Sequence, residues 1–266
     1  MELKSNSPTS QKYHDIFDFK LTKEELIKWQ YKKEKVSITG ITSIKSRKRL
    51  QKEKYSKKKL VIAKRAAKLI AKIPTVKFVG ITGSLAMMNA NKNSDIDLMI
   101  ITKTNSLWMT RIICYMVIWL NGYKTRKPKN RFEKDRLCLN LWLDESDLIW
   151  DKKDRNIYTA HEIAQVVPLI NKDKIYEKFL YLNRWVLNFW PNSVIILNYE
   201  LRITNYAKNP LYIIHNTLFT FVEYLVYKMQ YWYMKSKISR EVVTPTRAIF
   251  HPNDWGSVVL KKLSNK

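Results

Sequence analysis

The chain has little cysteine and little histidine, with two cysteines and four histidines among 266 residues. Cys114 and Cys138 form no CxxC pair, so the sequence predicts neither a disulfide framework nor a zinc site. This usage fits a reducing compartment, and we expect a cytoplasmic protein. His161, His215 and His251 are expected to be structural or exposed rather than metal ligands, because no second ligand stands at a suitable spacing.

Two further features are expected to be absent, a secretory leader and a membrane span. No charged-then-apolar segment opens the chain, which predicts no signal peptide. Residues 113–120 are apolar but too few to cross a bilayer. Residues 211–234 are almost long enough, but they contain His215, Glu223 and Lys228, which favours a buried amphipathic helix over a span. The aromatic residues of that helix are predicted to lie in the core rather than to stack on bases.

Acidic residues are in deficit, with 23 against 49 basic ones and a net charge of +26. The excess is concentrated near the start, where residues 45–59 carry nine basic side chains and one acid, Glu53. Two explanations stay open. The basic N-terminal region binds nucleic acid through its phosphates, or the charge reflects a composition rich in Lys, Asn and Ile.

The composition is 45% hydrophobic and 12% aromatic, enough for a sizeable core. We expect three regions: residues 1–73, a basic helical segment; residues 74–150, a small mixed sheet with helices; and residues 151–266, a helical C-terminal domain. In the first region, Thr22 and Glu25 predict a capping box. Residues 36–42 alternate like a hairpin or wing, and a long helix should run from Ser46 to Ile73, where Pro74 ends it.

Residues 78–102 read as strand, turn, short helix, loop and strand. Asp95 and Asp97 should share one face of the second strand, because side chains alternate along a strand. Two adjacent carboxylates repel each other unless a cation lies between them, and oxygen ligands favour Mg²⁺ or Mn²⁺. The alternative is an edge strand with solvated aspartates.

The other end of this stretch suits phosphate. Gly83 permits a sharp turn, and Ser84 opens the helix that follows, which leaves free N–H groups at its start. A metal-bound triphosphate would therefore occupy both ends, and we expect an NTP as a ligand.

The order Gly83-Ser84, ten residues, then Asp95-Ile96-Asp97 resembles the nucleotidyltransferase signature of the DNA polymerase beta superfamily. The resemblance covers about residues 74–145. It implies an α+β fold and a Mg²⁺-dependent transfer of a nucleoside monophosphate from an NTP to an acceptor. In that scheme Asp95 and Asp97 hold the metal ions, and Gly83 and Ser84 seat the phosphates. Many relatives have glycine where Met88 stands.

The superfamily places a third carboxylate on the next strand, residues 137–143. Leu137, Leu139, Leu141 and Leu143 are predicted on one face of that strand, with Asn140 at the matching catalytic position on the other. Asp144 follows and is the alternative source of the carboxylate. An amide cannot take a proton, so Asn140 also leaves open a rival reading, a non-catalytic nucleic-acid-binding or regulatory protein on the same fold.

Several assignments around this core stay open. The acceptor is unknown, and an RNA end, a protein hydroxyl and a small molecule are all compatible with the sequence. Residues 123–136 form a basic loop that holds phosphates or, as we favour, is solvated. The run Asp15-Ile16-Phe17-Asp18, followed by a helix, resembles the start of the winged-helix segment that precedes some nucleotidyltransferase domains.

Overall fold

The computed structural model describes residues 8–34, 43–126, 133–197, 210–236, 238–250 and 254–264. Within these ranges the helices are α1 (Thr9–Asp15), α2 (Lys23–Lys28), α3 (Arg47–Ile70), α4 (Gly83–Ala86), α5 (Leu107–Leu120), α6 (Ile157–Ala164), α7 (Ile175–Leu182), α8 (Pro210–Lys235) and α9 (Trp255–Ser264), with 3-10 turns at Lys152–Asp154 and Arg184–Asn188. The strands are β1 (Val76–Ile81), β2 (Ile96–Thr102), β3 (Leu137–Asp144), β4 (Val167–Asn171), β5 (Val242–Val243) and β6 (Arg247–Ile249).

The six strands form one mixed sheet in the order β4-β1-β2-β3-β6-β5. β2 and β3 are parallel, and the other neighbouring pairs are antiparallel. The expected combination of helices with a mixed sheet is therefore confirmed. The strand-turn-helix-loop-strand order predicted for residues 78–102 is also present, as β1, α4 and β2.

The C-terminal region is not purely helical, and that part of the prediction is wrong. It supplies β4, β5 and β6 to the sheet. β4 contains Pro168 and lies at the edge of the sheet, where the missing N–H of proline breaks no ladder. These strands have two to five residues, too few for an alternating pattern to stand out.

Both faces of the sheet are covered by apolar packing. Ile96, Leu98 and Ile100 of β2 pack on one side with α3 and α5, whereas Met99 and Ile101 pack on the other with α1, α2, α6 and α7. The cluster that contains Met99 and Ile101 combines side chains from all three of the predicted regions. The division of the chain into domains stays a prediction.

The N-terminal region follows its local signals. The Thr22 N–H donates to Glu25 Oε2 at 2.9 Å and the Glu25 N–H donates to Thr22 Oγ1 at 3.4 Å, which confirms the capping box. Helix α3 starts directly after Ser46, whose hydroxyl accepts from the Arg49 N–H. The hairpin predicted for residues 36–42 lies outside the described residues.

Three basic residues of α3 have a structural role. Arg49 and Lys59 are buried: Arg49 pairs with Glu25 at 2.6 Å, and Lys59 pairs with Asp135 at 2.6 Å. Lys52 contacts Asp18 at 3.2 Å. These residues join α3 to the segments around it, and the remaining basic residues of α3 are exposed.

Helix α8 packs on α5 through a few polar anchors. Glu223 is buried and accepts hydrogen bonds from the backbone N–H groups of Trp108 and Met109. It therefore caps the N-terminus of α5, where the side chain of the N-cap residue Ser106 makes no capping hydrogen bond. Tyr227 is buried beside it, but Trp232 and Tyr233 are largely exposed, so the prediction that the aromatic residues of this helix form core is wrong for its outer face. Among the described helices, none is both long and apolar enough to cross a membrane.

Candidate active site

Gly83 lies next to Asp97, at the first residue of α4 and shortly after the end of β1. Its φ angle is +60°, a left-handed conformation that glycine adopts freely. A Cβ atom on this residue would lie 2.7 Å from Oδ2 of Asp97. Glycine is therefore needed here both for the turn and for the close approach of a carboxylate.

Asp95 and Asp97 lie together, as their spacing predicts, and Cys138 joins them. A ligand atom from each of the three lies within 4.8 Å of the other two. Cys138 is the pairing partner of Asp97 across β2 and β3. Burial, then the nearby aspartates, raise the pKa of the Cys138 thiol, which keeps it protonated. The donors suited to a metal are thus carboxylate oxygens, which fit Mg²⁺ or Mn²⁺ rather than zinc.

Arg126 is the counter-ion of this carboxylate pair. Its Nη1 lies 3.0 Å from Oδ2 of Asp95, and its Nη2 lies 2.8 Å from Glu133. Asp97 is not in this ion pair, and burial together with the charge of Asp95 raises the pKa of Asp97. Part of the basic loop is therefore bound to the site rather than solvated; residues 127–132 lie outside the described residues.

Asn140 reaches Asp97 because β3 is bulged. Leu98 pairs with Leu139 and Met99 pairs with Leu141, so Asn140 is the extra residue. The Asn140 Nδ2 donates to Asp97 Oδ1 at 2.8 Å. The bulge also overturns the prediction of four leucines on one face: Leu137 and Leu139 pack on the α3 side, and Leu141 and Leu143 on the other.

Asp144 does not reach the site, and the alternative that it supplies the third carboxylate is wrong. It pairs with Thr102, whereas Asp97 pairs with Cys138. Asp144 is six residues along β3 from Cys138, which corresponds to about 20 Å of strand. The Asp144 Oδ1 instead accepts from the backbone N–H and the hydroxyl of Ser146.

A cavity of about 460 Å³ opens beside these residues, which we call the first cavity. Gly83, Ser84, Asp97, Asn140 and Arg126 line it. Four of its lining residues carry a buried polar atom for which the described residues provide no hydrogen-bond partner: Tyr13 Oη, Thr82 Oγ1, Asn89 Oδ1 and Asn140 Oδ1. Buried polar atoms without partners are costly, so the first cavity is suited to a polar ligand.

Glu162 of α6 also lines the first cavity, and sequence analysis did not find it. Burial, then the charge of Asp97, raise the pKa of Glu162 to about 8. Among the lining residues of this cavity, Asp97 and Glu162 are the acidic ones. No signal in the sequence indicated that Glu162 lies beside Asp97. The two residues are more than sixty positions apart, and the fold alone brings α6 to the site.

His14 and His161 form a buried pair that lines this cavity. Their Nε2 atoms are 3.1 Å apart, and the Nδ1 of His14 lies 2.7 Å from the Ser10 carbonyl. A carbonyl only accepts, so His14 carries its proton on Nδ1 and His161 donates through Nε2. Burial lowers the pKa of His14 to about 4 and lowers that of His161 as well. His161 is thus buried beside His14 rather than exposed.

A second cavity of about 550 Å³ adjoins the first. The two share Thr82, Tyr158, Glu162 and Trp255 as lining residues. The inner part of the second cavity is apolar, with Met99 and Leu141, and Asp151 and Asp154 lie at its exposed side. Glu162 therefore stands between two spaces, each large enough for a small ligand.

Met88 shows why a glycine suits its position. Its φ angle is +54°, in the left-handed region that a methionine side chain disfavours. It is absent from the lining of the first cavity. Its backbone geometry instead shapes the loop before Asp95.

Comparison of the chain with protein-family models gives no match, and comparison with curated proteins gives none either.

Proposed function

We propose that the protein is a Mg²⁺-dependent nucleotidyltransferase, which moves a nucleoside monophosphate from an NTP to an acceptor and releases pyrophosphate. The observation that carries this proposal is the contact between the Gly83 turn and the Asp97 carboxylate, beside Asp95, at the edge of the first cavity. Turn, carboxylate pair and cavity are what a metal-bound triphosphate requires at one place.

The proposal assigns roles to several groups in and beside the first cavity. Asp95 and Asp97 would hold the metal, which would supply charge stabilisation for the phosphates when bound. The backbone of Gly83 and Ser84 binds the phosphates, and Arg126 offers a guanidinium to the same anion. The unpartnered Tyr13 hydroxyl and Asn89 carbonyl oxygen orient the polar parts of the nucleoside.

Glu162 is the group that we propose takes the acceptor proton. Asn140 has no charge and donates to Asp97, so it cannot act as a base. Glu162 faces both cavities, and an acceptor hydroxyl entering from the second cavity would pass it on the way to the nucleotide. At pH 7 the raised pKa leaves Glu162 largely protonated, and a protonated carboxyl cannot accept a proton. The proposed base is therefore the ionised form of Glu162, and a metal on Asp97 would favour that form, because the charge of Asp97 is one cause of the raised pKa.

The test is transfer of label. Purified protein is incubated with each α-labelled NTP, Mg²⁺ or Mn²⁺ and a total cell extract, and the labelled fraction is identified. We expect one acceptor class to carry the label, with transfer lost in Asp97→Asn and reduced about 10²- to 10⁴-fold in Glu162→Gln. NTP binding without transfer, in every extract fraction, would contradict the proposal.

A second candidate is the non-catalytic reading, a nucleic-acid-binding or regulatory protein. The observations in its favour are the Asn140 amide at the third carboxylate position and the exposed basic residues of α3, among them Lys54 and Lys58. If α3 binds nucleic acid, affinity should fall steeply with salt. Replacing Lys54 and Lys58 by Gln should then reduce the salt slope by about one per lost contact. Lys152 and Lys153, exposed elsewhere, provide a control pair of equal charge.

A further inference from the structure

Helix α8 presents a fixed inner face to α5. Gln230 donates to the Trp108 carbonyl at 2.8 Å and accepts from Arg111 at 2.6 Å, and Glu223 caps α5. These buried contacts set the rotation of α8 about its axis. Its opposite side therefore points away from the sheet.

That opposite side is a continuous apolar surface, which we call the outer stripe. Its members are Leu218, Phe221, Val222, Leu225, Met229, Trp232 and Tyr233, all exposed. At about 100° per residue these seven side chains fall within an arc of roughly 120°, and they extend over about 24 Å of helix. Their spacing of three and four residues is the one that two packed helices use.

The outer stripe is a large exposed apolar surface. Trp232 is 80% exposed, Tyr233 68% and Leu218 63%. Aromatic side chains carry about 150–250 Å² each and the aliphatic ones somewhat less, so these seven, at their exposed fractions, present on the order of 800 Å². Apolar patches on monomers rarely exceed about 300–600 Å². A standard protein interface buries about 800 Å² on each partner.

The outer stripe is also uncharged in a protein of net charge +26. Helix α8 contains three charged residues in 26: Glu223 is buried against α5, and Lys228 and Lys235 lie beside the arc rather than within it. Two copies of so basic a chain repel each other across most of their surface. At the outer stripe two copies can approach each other without bringing like charges together.

We propose that the outer stripe is a self-association surface, through which α8 packs against α8 of a second copy to form a symmetric dimer. The occupant is a second copy because the exposed area is of the size that one partner of a standard interface buries, and because the helical spacing is self-complementary. This proposal does not depend on the proposed transfer activity.

Analytical ultracentrifugation of the full chain at micromolar concentrations tests it. We expect wild-type protein to sediment as a dimer and Leu225→Glu, which places two carboxylates in the interface, to raise the dissociation constant about a hundredfold or more. Lys228→Gln is the matched control, because it changes the net charge equally from outside the stripe, and it should remain dimeric. Met229→Glu is a second variant, and circular dichroism verifies that each variant is folded.

Three results would overturn the proposal. One is a wild-type protein that stays monomeric over the whole concentration range. Another is a dimer unaffected by both Leu225→Glu and Met229→Glu when both are folded. The third is a monomer that floats with vesicles of phosphatidylglycerol and phosphatidylcholine and loses this binding in Leu225→Glu, which would assign the stripe to a lipid surface instead.

Discussion

The guanidinium Nη1 of Arg126 lies 3.0 Å from Oδ2 of Asp95, one of the two carboxylates proposed to hold a metal. A guanidinium at this distance binds the carboxylate oxygen, and it competes with any metal for the same oxygen. Glu133, 2.8 Å from the other guanidinium nitrogen, offers Arg126 a second partner. Metal binding and the position of Arg126 are therefore coupled.

Arg126→Gln should increase the affinity for Mn²⁺ by about tenfold, because a positive charge next to the metal ligands is removed. Mn²⁺ bound to the protein alone, measured by electron paramagnetic resonance, checks this without any nucleotide. Arg136→Gln is the control, because Arg136 contacts the Thr125 carbonyl rather than a carboxylate. Equal affinities in the two variants would show that Arg126 does not compete with the metal.

Asn140→Asp places a third carboxylate 2.8 Å from Asp97, where the native amide donates a hydrogen bond. Without metal we expect a loss of about 2 kcal/mol in the free energy of unfolding at neutral pH, since the hydrogen bond is replaced by repulsion. Mn²⁺ should restore this loss and bind more tightly. Asn140→Leu loses the hydrogen bond without adding charge, so a Mn²⁺ effect of the same size in that variant would refute this account.

Gly83→Ala and Gly122→Ala separate backbone strain from contact with Asp97. Both glycines have positive φ, +60° and +76°, but a Cβ meets the Asp97 carboxylate only at Gly83 and has nothing within 4 Å at Gly122. Strain alone costs about 1–2 kcal/mol. We expect Gly122→Ala to lose about that amount in urea unfolding and to keep Mn²⁺ binding. Gly83→Ala should lose more and bind Mn²⁺ weakly, and equal behaviour would argue against the role of the close approach.

Glu162 predicts a pH dependence of stability with a defined sign. Its pKa is raised to about 8 from an ordinary value near 4.5, so the folded state binds the proton more tightly than the unfolded chain. Its contribution is fully present below pH 4.5 and is lost as the pH rises to about 8. Relative to Glu162→Gln, the wild type should therefore lose stability across this window, by up to about 1.4 kcal/mol per pH unit. Parallel urea-unfolding profiles for the two proteins would contradict it.

The His14–His161 pair has the opposite sign. Burial lowers both pKa values, to about 4 for His14, so the unfolded chain takes up protons first. The contribution is present above about pH 6.5 and is lost as the pH falls towards 4. The stability difference between wild type and His161→Phe should shrink over that range. A difference that stays constant with pH would show that the pair does not titrate on unfolding.

The sequence by itself determined the features that depend on neighbours along the chain. The Thr22–Glu25 capping box, the start of α3 after Ser46, and the β1-α4-β2 segment with Asp95 near Asp97 follow from hydrogen bonds and side-chain alternation over a few residues. Local rules suffice there because the partners are never more than one turn or one strand apart. The function inferred from that segment stays a prediction.

Only the tertiary structure decided the rest. The bulge in β3 moved Asn140 against Asp97, packing brought Glu162 and Arg126 to the same cavity, and three short strands from the C-terminal region completed the sheet. The tertiary structure also left the outer face of α8 exposed, although the sequence predicts that the aromatic residues of this helix lie in the core. An apolar pattern shows that a helix has a face to bury, whereas the surfaces that meet that face depend on contacts between distant parts of the chain.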